Sequence, residues 1–360
     1  MERDNKDYTV SFIRLTALVL LFSCHIFEVY GFTYNKGRSI GIFGNYCAVC
    51  VQLFLCISGF LYGRRKDLFK NYNRFHFVLK NFKKVLFDYY VYLLFFIYPI
   101  YYFLRQNEFN YSFIYKTLTI SQTIYGIHHI WYIPYILSCY LITPYLFDLR
   151  EYIKQKNLNK VLIFLLVFLG IILLDIFFKA YHVYFNSAWI ACYVLAFFLN
   201  DFLNLFSKNK LKIIALFFLI VSSILNFYKY EVRYLILPNA QGDLKTFCNY
   251  YIDYSRSFFA ISIFIVIWCL GKYYVKSDSS FVKLILDFSD KYSYDIYLVH
   301  MIFVKGFLTL VNKTHSLFLN IIMIVFVSII NAILLNKICN FLKWGAAKLY
   351  SKLYLRITTS

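Results

Sequence analysis

The chain has 360 residues, of which 61% are hydrophobic and only 16% charged, whereas a soluble domain carries roughly 45–50% apolar and about 25% charged residues. That composition excludes a soluble globular protein, and 4 Pro with 12 Gly exclude a disordered or low-complexity chain. Lys and Arg number 38 against 18 Asp and Glu, a net charge of +20. A nucleic-acid binder would display such an excess on the basic face of a soluble fold, and the long apolar runs leave no such face here.

A membrane-crossing helix needs about 20 mostly apolar residues. Ten segments meet that need in chain order: 10–30, 45–62, 86–104, 130–147, 161–178, 188–206, 211–228, 257–275, 292–311 and 318–341. The first is too long and too polar for a signal peptide and is read as a span. With the N-terminus in the cytoplasm, 26 basic residues fall inside and 10 outside, while Arg14 and Lys305 lie in or at the edge of the membrane. That asymmetry follows the positive-inside rule, so most of the charge sets orientation against lipid. The sequence therefore predicts an all-α, polytopic integral membrane protein with about ten transmembrane helices and both termini cytoplasmic. Residues 1–345 would form the transmembrane domain and 346–360 a short basic tail.

Ionisable groups within a bilayer cost several kcal/mol unless paired or facing a cavity, so each marks a functional candidate. The first segment carries Arg14, His25 and Glu28. An offset of 11 residues closes three helical turns to within about 20°, which puts Arg14 and His25 on one face, about 16 Å apart along the axis. Glu28 follows on nearly the same face, placed to orient the imidazole and stabilise its protonated form.

The second segment ends Phe54-Leu-Cys-Ile-Ser-Gly-Phe60 and is followed by Arg64-Arg65. Ser58-Gly59 permits close helix approach. The arginine pair reads either as a cap of snorkelling cations or as a clamp for a phosphorylated ligand. Lys80, Lys83 and Lys84 enter the third segment from the same side and would enlarge that clamp. Cys47-Ala-Val-Cys50 has CxxC spacing, but it has no second ligand pair, and the odd total of 9 Cys argues against a disulfide framework. His129 and Trp131 open the fourth segment, as an aromatic belt or as site residues. The longest expected loop, 229–256, holds Glu231, Arg233, Asp243, Asp253 and Arg256, which either meet solvent or line an acceptor entrance. In the ninth segment Tyr297 precedes His300 by one turn.

Four of these segments together resemble the acyltransferase 3 family of bacterial integral-membrane acyltransferases. Arg14 with His25 resembles the family's Arg-x10-His, and Phe54–Phe60 its F-x-x-x-SGF segment with the basic pair after it. His129-Ile-Trp131 is similar to its H-x-W segment, and Ser293–His300 to its S-x-x-I-Y-x-x-H segment. The stretch Lys80-Asn-Phe-Lys-Lys departs from the pattern, since the family usually has arginines there, often followed by proline.

The resemblance implies transfer of an acyl group, usually acetyl from acetyl-CoA, to a hydroxyl of a surface polysaccharide or lipid-linked sugar in the bacterial cytoplasmic membrane. It implies His25 as general base with Glu28 orienting it and His300 as a second catalytic histidine. Arg14, Arg64, Arg65, Lys83 and Lys84 would hold the donor, and Ser58, His129, Trp131 and Tyr297 would meet the acceptor. No metal and no nucleic acid are expected; the partners are the acyl-CoA donor, the glycan acceptor and membrane lipid. The same intramembrane polar residues would also suit a flippase for a lipid-linked sugar.

Overall fold

The computed structural model describes residues 8–33, 37–65, 69, 73–120, 126–157, 159–180, 186–203, 207–274 and 280–358. Among them every regular element is helical. In chain order these are α1 (Tyr8–Glu28), α2 (Arg38–Tyr46), α3 (Cys50–Gly63), α4 (Arg74–Tyr92), α5 (Tyr98–Leu104) and α6 (Tyr111–Leu118). They are followed by α7 (Tyr132–Gln155), α8 (Lys160–Ala180), α9 (Ser187–Leu203), α10 (Lys208–Glu231), α11 (Gly242–Tyr274), α12 (Ser280–Val304) and α13 (Leu317–Thr358). Wider, π-helical turns occur at Val29–Thr33, Leu93–Ile97 and Val232–Ile236.

Seven helical stretches are long and apolar enough to cross a membrane: Tyr8–Thr33, Arg38–Gly63, Arg74–Leu104, His129–Gln155, Asn209–Asn239, Gly242–Gly271 and Leu317–Leu349. Leu165–Phe178 and Ser187–Leu203 are shorter apolar helices. The chain is polytopic and all-α, as expected. The stretch expected as the longest loop is mostly helix, because α10 runs on to Glu231 and α11 starts at Gly242. Its buried Cys248, Ile252 and Ser255 recur at helical spacing and give α11 an inner face there. Residues 346–358 likewise continue α13.

Burial is inverted relative to a water-soluble fold. Leu165, Leu169, Leu173 on α8 and Ile213, Phe217, Ile224 on α10 are exposed, while Asp175, Ser222, Asn226, Lys229 and Ser262 are buried. An apolar solvent favours that arrangement: lipid tails accept the leucines, and polar groups turn inward to find partners.

Two units divide the chain. The first comprises residues 1–78 and 134–290. In it α3 packs on α9, α10 on α11, and α1 on α2, α3 and α11. Gly59 and Gly63 on α3 face the backbones of Tyr193 and Phe197 on α9, where a Cβ at either glycine would overlap a carbonyl oxygen. This is small-xxx-small packing, with each glycine one turn from the next. Gly44 on α2 lies against the α1 backbone at Phe27 and Glu28, Gly31 in the turn after α1 against the backbone of Gly41, and Gly41 against the Phe32 ring.

The second unit comprises residues 79–133 and 291–360. Tyr89 on α4 donates to the Thr117 carbonyl on α6 at 2.7 Å, and Tyr294 on α12 donates to the Val85 carbonyl at 3.0 Å. Lys343 on α13 pairs with Asp88 at 2.7 Å.

Gly63→Val should lower thermal stability in detergent, at a cost of about 1–3 kcal/mol for overpacking. Gly170→Ala, with no atom within 4 Å of its added Cβ, should be neutral or slightly stabilising. Equal melting temperatures for the two variants would contradict the α3–α9 contact.

Candidate functional site

In the first unit α1 is unbroken from Tyr8 to Glu28, so the face shared by Arg14 and His25 is kept. Arg14 forms an ion pair with Asp290 on α12, to which Ser11 also donates at 2.7 Å. Ser289 donates to the Ser11 carbonyl at 3.4 Å and to the Leu286 carbonyl at 2.8 Å. Arg14 is thus engaged by protein at its guanidinium, with both partners less than one-fifth exposed.

At the other end of α1, His25 and Glu28 are half-buried and Cys24 is buried. One ligand-type atom from each of the three lies within 4.8 Å of the others. Three cations share this neighbourhood. Lys229 and Arg256 are within electrostatic range of each other and of Glu28, Cys24 and Arg233. Their repulsion opposes a divalent cation, so the cluster is not assigned as a metal centre.

Lys229 is fully buried and donates to the Asn45 carbonyl at 2.7 Å and to Asn226 Oδ1 at 3.0 Å. Asn226 Nδ2 in turn reaches the Tyr46 carbonyl at 3.0 Å. These carbonyls lie in the last turn of α2, beyond its intrahelical donors, where a cation also meets the negative end of the helix dipole; the Ala48 N–H reaches the Asn45 carbonyl as well, at 3.3 Å. Arg150 does the same for α3: it donates to the Gly63 carbonyl and, at 2.7 Å, to the Arg65 carbonyl. Its guanidinium lies over Phe147 and Phe197, 4.6 and 5.4 Å from the ring centroids.

With their backbones held this way, Arg64 and Arg65 present exposed side chains. Arg64 sits over Phe60 and Trp268 at 5.6 and 5.3 Å, and Arg65 over Tyr62 at 5.3 Å. Ser58 is half-buried one residue before the α3–α9 contact.

The other candidates lie in the second unit. Lys83 and Lys84 are exposed on α4. His129, Tyr297 and His300 are brought together and buried. The two imidazoles are 5.1 Å apart edge to face, and His129 is 5.1 Å from the Tyr297 ring. Tyr297 donates its hydroxyl to the His129 carbonyl, and His129 Nε2 lies 3.0 Å from the Leu298 carbonyl. His300 Nδ1 is 2.8 Å from the Tyr297 carbonyl. A carbonyl only accepts, so these contacts put protons on His129 Nε2 and His300 Nδ1. Trp131 is half-buried beside this group in sequence.

Sequence reasoning missed Asp290, Lys229 and Arg150. Asp290 and Arg150 fell in segments assigned to the cytoplasmic side, and Lys229 was counted as a loop cation. A signal existed for Lys229: Ser222, Asn226 and Lys229 repeat at helical spacing in an apolar run, and all are buried.

A family model described as an acyltransferase domain matches residues 7–337. No curated protein and no solved structure matches the chain.

A double-mutant cycle of Arg14→Ala and Asp290→Ala, read by thermal unfolding in detergent, should give a coupling of about 1–2 kcal/mol, within the range for contacting residues. Additive single effects would contradict the pair. Arg150→Ala should destabilise by about 1–3 kcal/mol, since two carbonyls lose a charged donor.

Proposed function

The chain belongs to the acyltransferase 3 family, whose model covers nearly its whole length, and is a membrane acyltransferase; on that premise we propose that it moves acetyl from acetyl-CoA to a sugar hydroxyl. The acceptor in this reading is a surface polysaccharide or lipid-linked glycan, and the setting is the bacterial cytoplasmic membrane. The observation that carries the proposal is the uninterrupted α1, which holds a half-buried His25 beside Glu28, with Arg14 on the same face.

A sugar hydroxyl is a poor nucleophile at neutral pH, and an imidazole with an ordinary affinity for protons is suited to take its proton. His25 accepts that proton as the hydroxyl oxygen bonds to the thioester carbonyl carbon. The carbonyl electrons move onto oxygen and return as the carbon–sulfur bond breaks. The departing thiolate then receives the proton from the His25 imidazolium, which restores the base and leaves the acetyl ester and free CoA. Glu28, one turn on, steadies the imidazolium. Positioning supplies much of the rate, because a held hydroxyl and thioester react as one species.

The donor carries a pyrophosphate and a 3′-phosphate, for which guanidinium forks are suited. Arg64 and Arg65 offer exposed side chains on a backbone pinned by Arg150. We assign Arg14 to the donor side through its ion pair with Asp290, as a positioning residue. Ser58 of the first unit is assigned to the acceptor, and the buried His129, Tyr297 and His300 of the second unit are assigned no step.

His25→Ala should lower acetyl transfer in purified protein by about 10²- to 10⁴-fold, the usual worth of a general base, at normal expression. Transfer unchanged in that variant would remove His25 from the role. Replacing Arg64 and Arg65 together by Ala should raise the KM for acetyl-CoA about tenfold or more with little change in kcat, as expected for lost ground-state binding. A flippase would show no dependence on acyl-CoA in either assay.

A further inference from the structure

Most buried or half-buried cations of the first unit have a structural partner. Arg14 has Asp290, Lys229 holds the end of α2, and Arg150 holds the end of α3. Arg256 on α11 differs. Its Nε, like that of Arg150, is shut off from solvent and meets no hydrogen-bond partner among the described residues, and no pair of helix-end carbonyls takes up its guanidinium as Gly63 and Arg65 do for Arg150. A buried donor left unmet costs stability, more when it is charged, so a chain that keeps one there has a use for it.

The surroundings favour an anion. Lys229, Arg233 and Arg256 are within electrostatic range of one another, and the carboxylates facing them are Glu28 and Asp253. Asp253 is further engaged by Asn186 Nδ2 at 2.7 Å. The two guanidiniums and the Lys229 amine gather hydrogen-bond donors next to the end of α1 that carries His25. A second unmet group belongs to a residue bonded to Lys229. Asn45, whose carbonyl accepts the Lys229 hydrogen bond, keeps a buried side-chain oxygen with no partner among the described residues.

A ligand that answers both atoms must bring an anionic oxygen for Arg256 and a hydroxyl or amide N–H for Asn45. A neutral sugar supplies only the second and a simple anion only the first. We propose that this cluster is the acceptor subsite and that the acceptor is an acidic sugar, with its carboxylate or phosphate held by Arg256, Lys229 and Arg233. Seated there, the sugar places its hydroxyls toward the His25 end of α1. The binding stands on the cluster itself; only the use of the bound sugar as acceptor rests on the acyl-transfer reading.

The test uses the full-length protein in detergent with D-glucuronate, α-D-glucose 1-phosphate, D-glucose and inorganic phosphate as probes. The two acidic sugars should raise the melting temperature at concentrations where glucose and phosphate do not. Arg256→Gln should raise the half-saturating concentration at least tenfold, and the half-buried Arg233→Gln should raise it less but in the same direction. Should Arg256→Gln fail to fold, Arg233→Gln carries the comparison. Equal protection by glucose, or by phosphate alone, would overturn the proposal, as would no protection by either acidic sugar. Phosphatidylglycerol doped into the micelles and abolishing the sugar effect would assign the anion site to a lipid headgroup instead and overturn the sugar.

Acetyl-CoA turnover is followed in the same samples. Protection without turnover would sink the acyl-transfer reading and keep the subsite, and turnover without protection would do the reverse. Once an acceptor turns over, Arg256→Gln should raise its KM more than it lowers kcat; a fall in kcat with KM unchanged would give Arg256 a transition-state role in place of this one.

Discussion

A cation within an apolar solvent must be given oxygen atoms by the protein, and this fold supplies them from the ends of its own helices. The last carbonyls of α2 and α3 have no intrahelical donors, and Lys229 and Arg150 have no water. Each deficiency answers the other. The pairing also fixes where the functional groups sit. α2 packs on α1 beside Glu28 through Gly44, and α3 carries Arg64 and Arg65 just beyond its pinned end. The two ends of the proposed reaction therefore rest on buried cations that do no chemistry themselves.

The helical, membrane-spanning character was legible because it depends on a long-period excess of apolar residues, which survives errors of a few residues. Arg14, His25 and Glu28 were legible for a related reason: charged residues are conspicuous in an apolar run, and a continuous helix makes their relative direction calculable. Asp290 was not, since its importance lies in a partner far away in sequence and its own neighbourhood is polar. The 229–256 stretch misled because polarity inside a folded helix pair looks the same, residue by residue, as polarity in a loop. Gly59 was readable as a close-approach residue, but only the structure names Tyr193 and Phe197 as what it approaches.

The histidines differ in what surrounds them. His300 is wholly enclosed and bonds back to its own helix, and His129 is fixed by the Leu298 carbonyl. His25 keeps partial exposure at the end of a helix where carboxylate and cations gather. A proton-transfer group needs a route for substrate, and by that measure His25 is the better placed of the three. The π-helical turns at Val29–Thr33 and Val232–Ile236 lie at the same end, where such wide turns are common beside functional groups.

Arg14 and Asp290 are 276 residues apart in the chain. At a synthesis rate of roughly 5–20 residues per second, the arginine enters the membrane region on the order of ten seconds to a minute before its carboxylate exists. During that interval the first helix carries an unneutralised guanidinium, which the headgroup phosphates at the membrane surface are the nearest groups to satisfy. The last step in settling the first helix therefore waits for the twelfth, so a chain stalled or cut short before Asp290 would leave the cell's quality control a first helix whose arginine had never met its carboxylate.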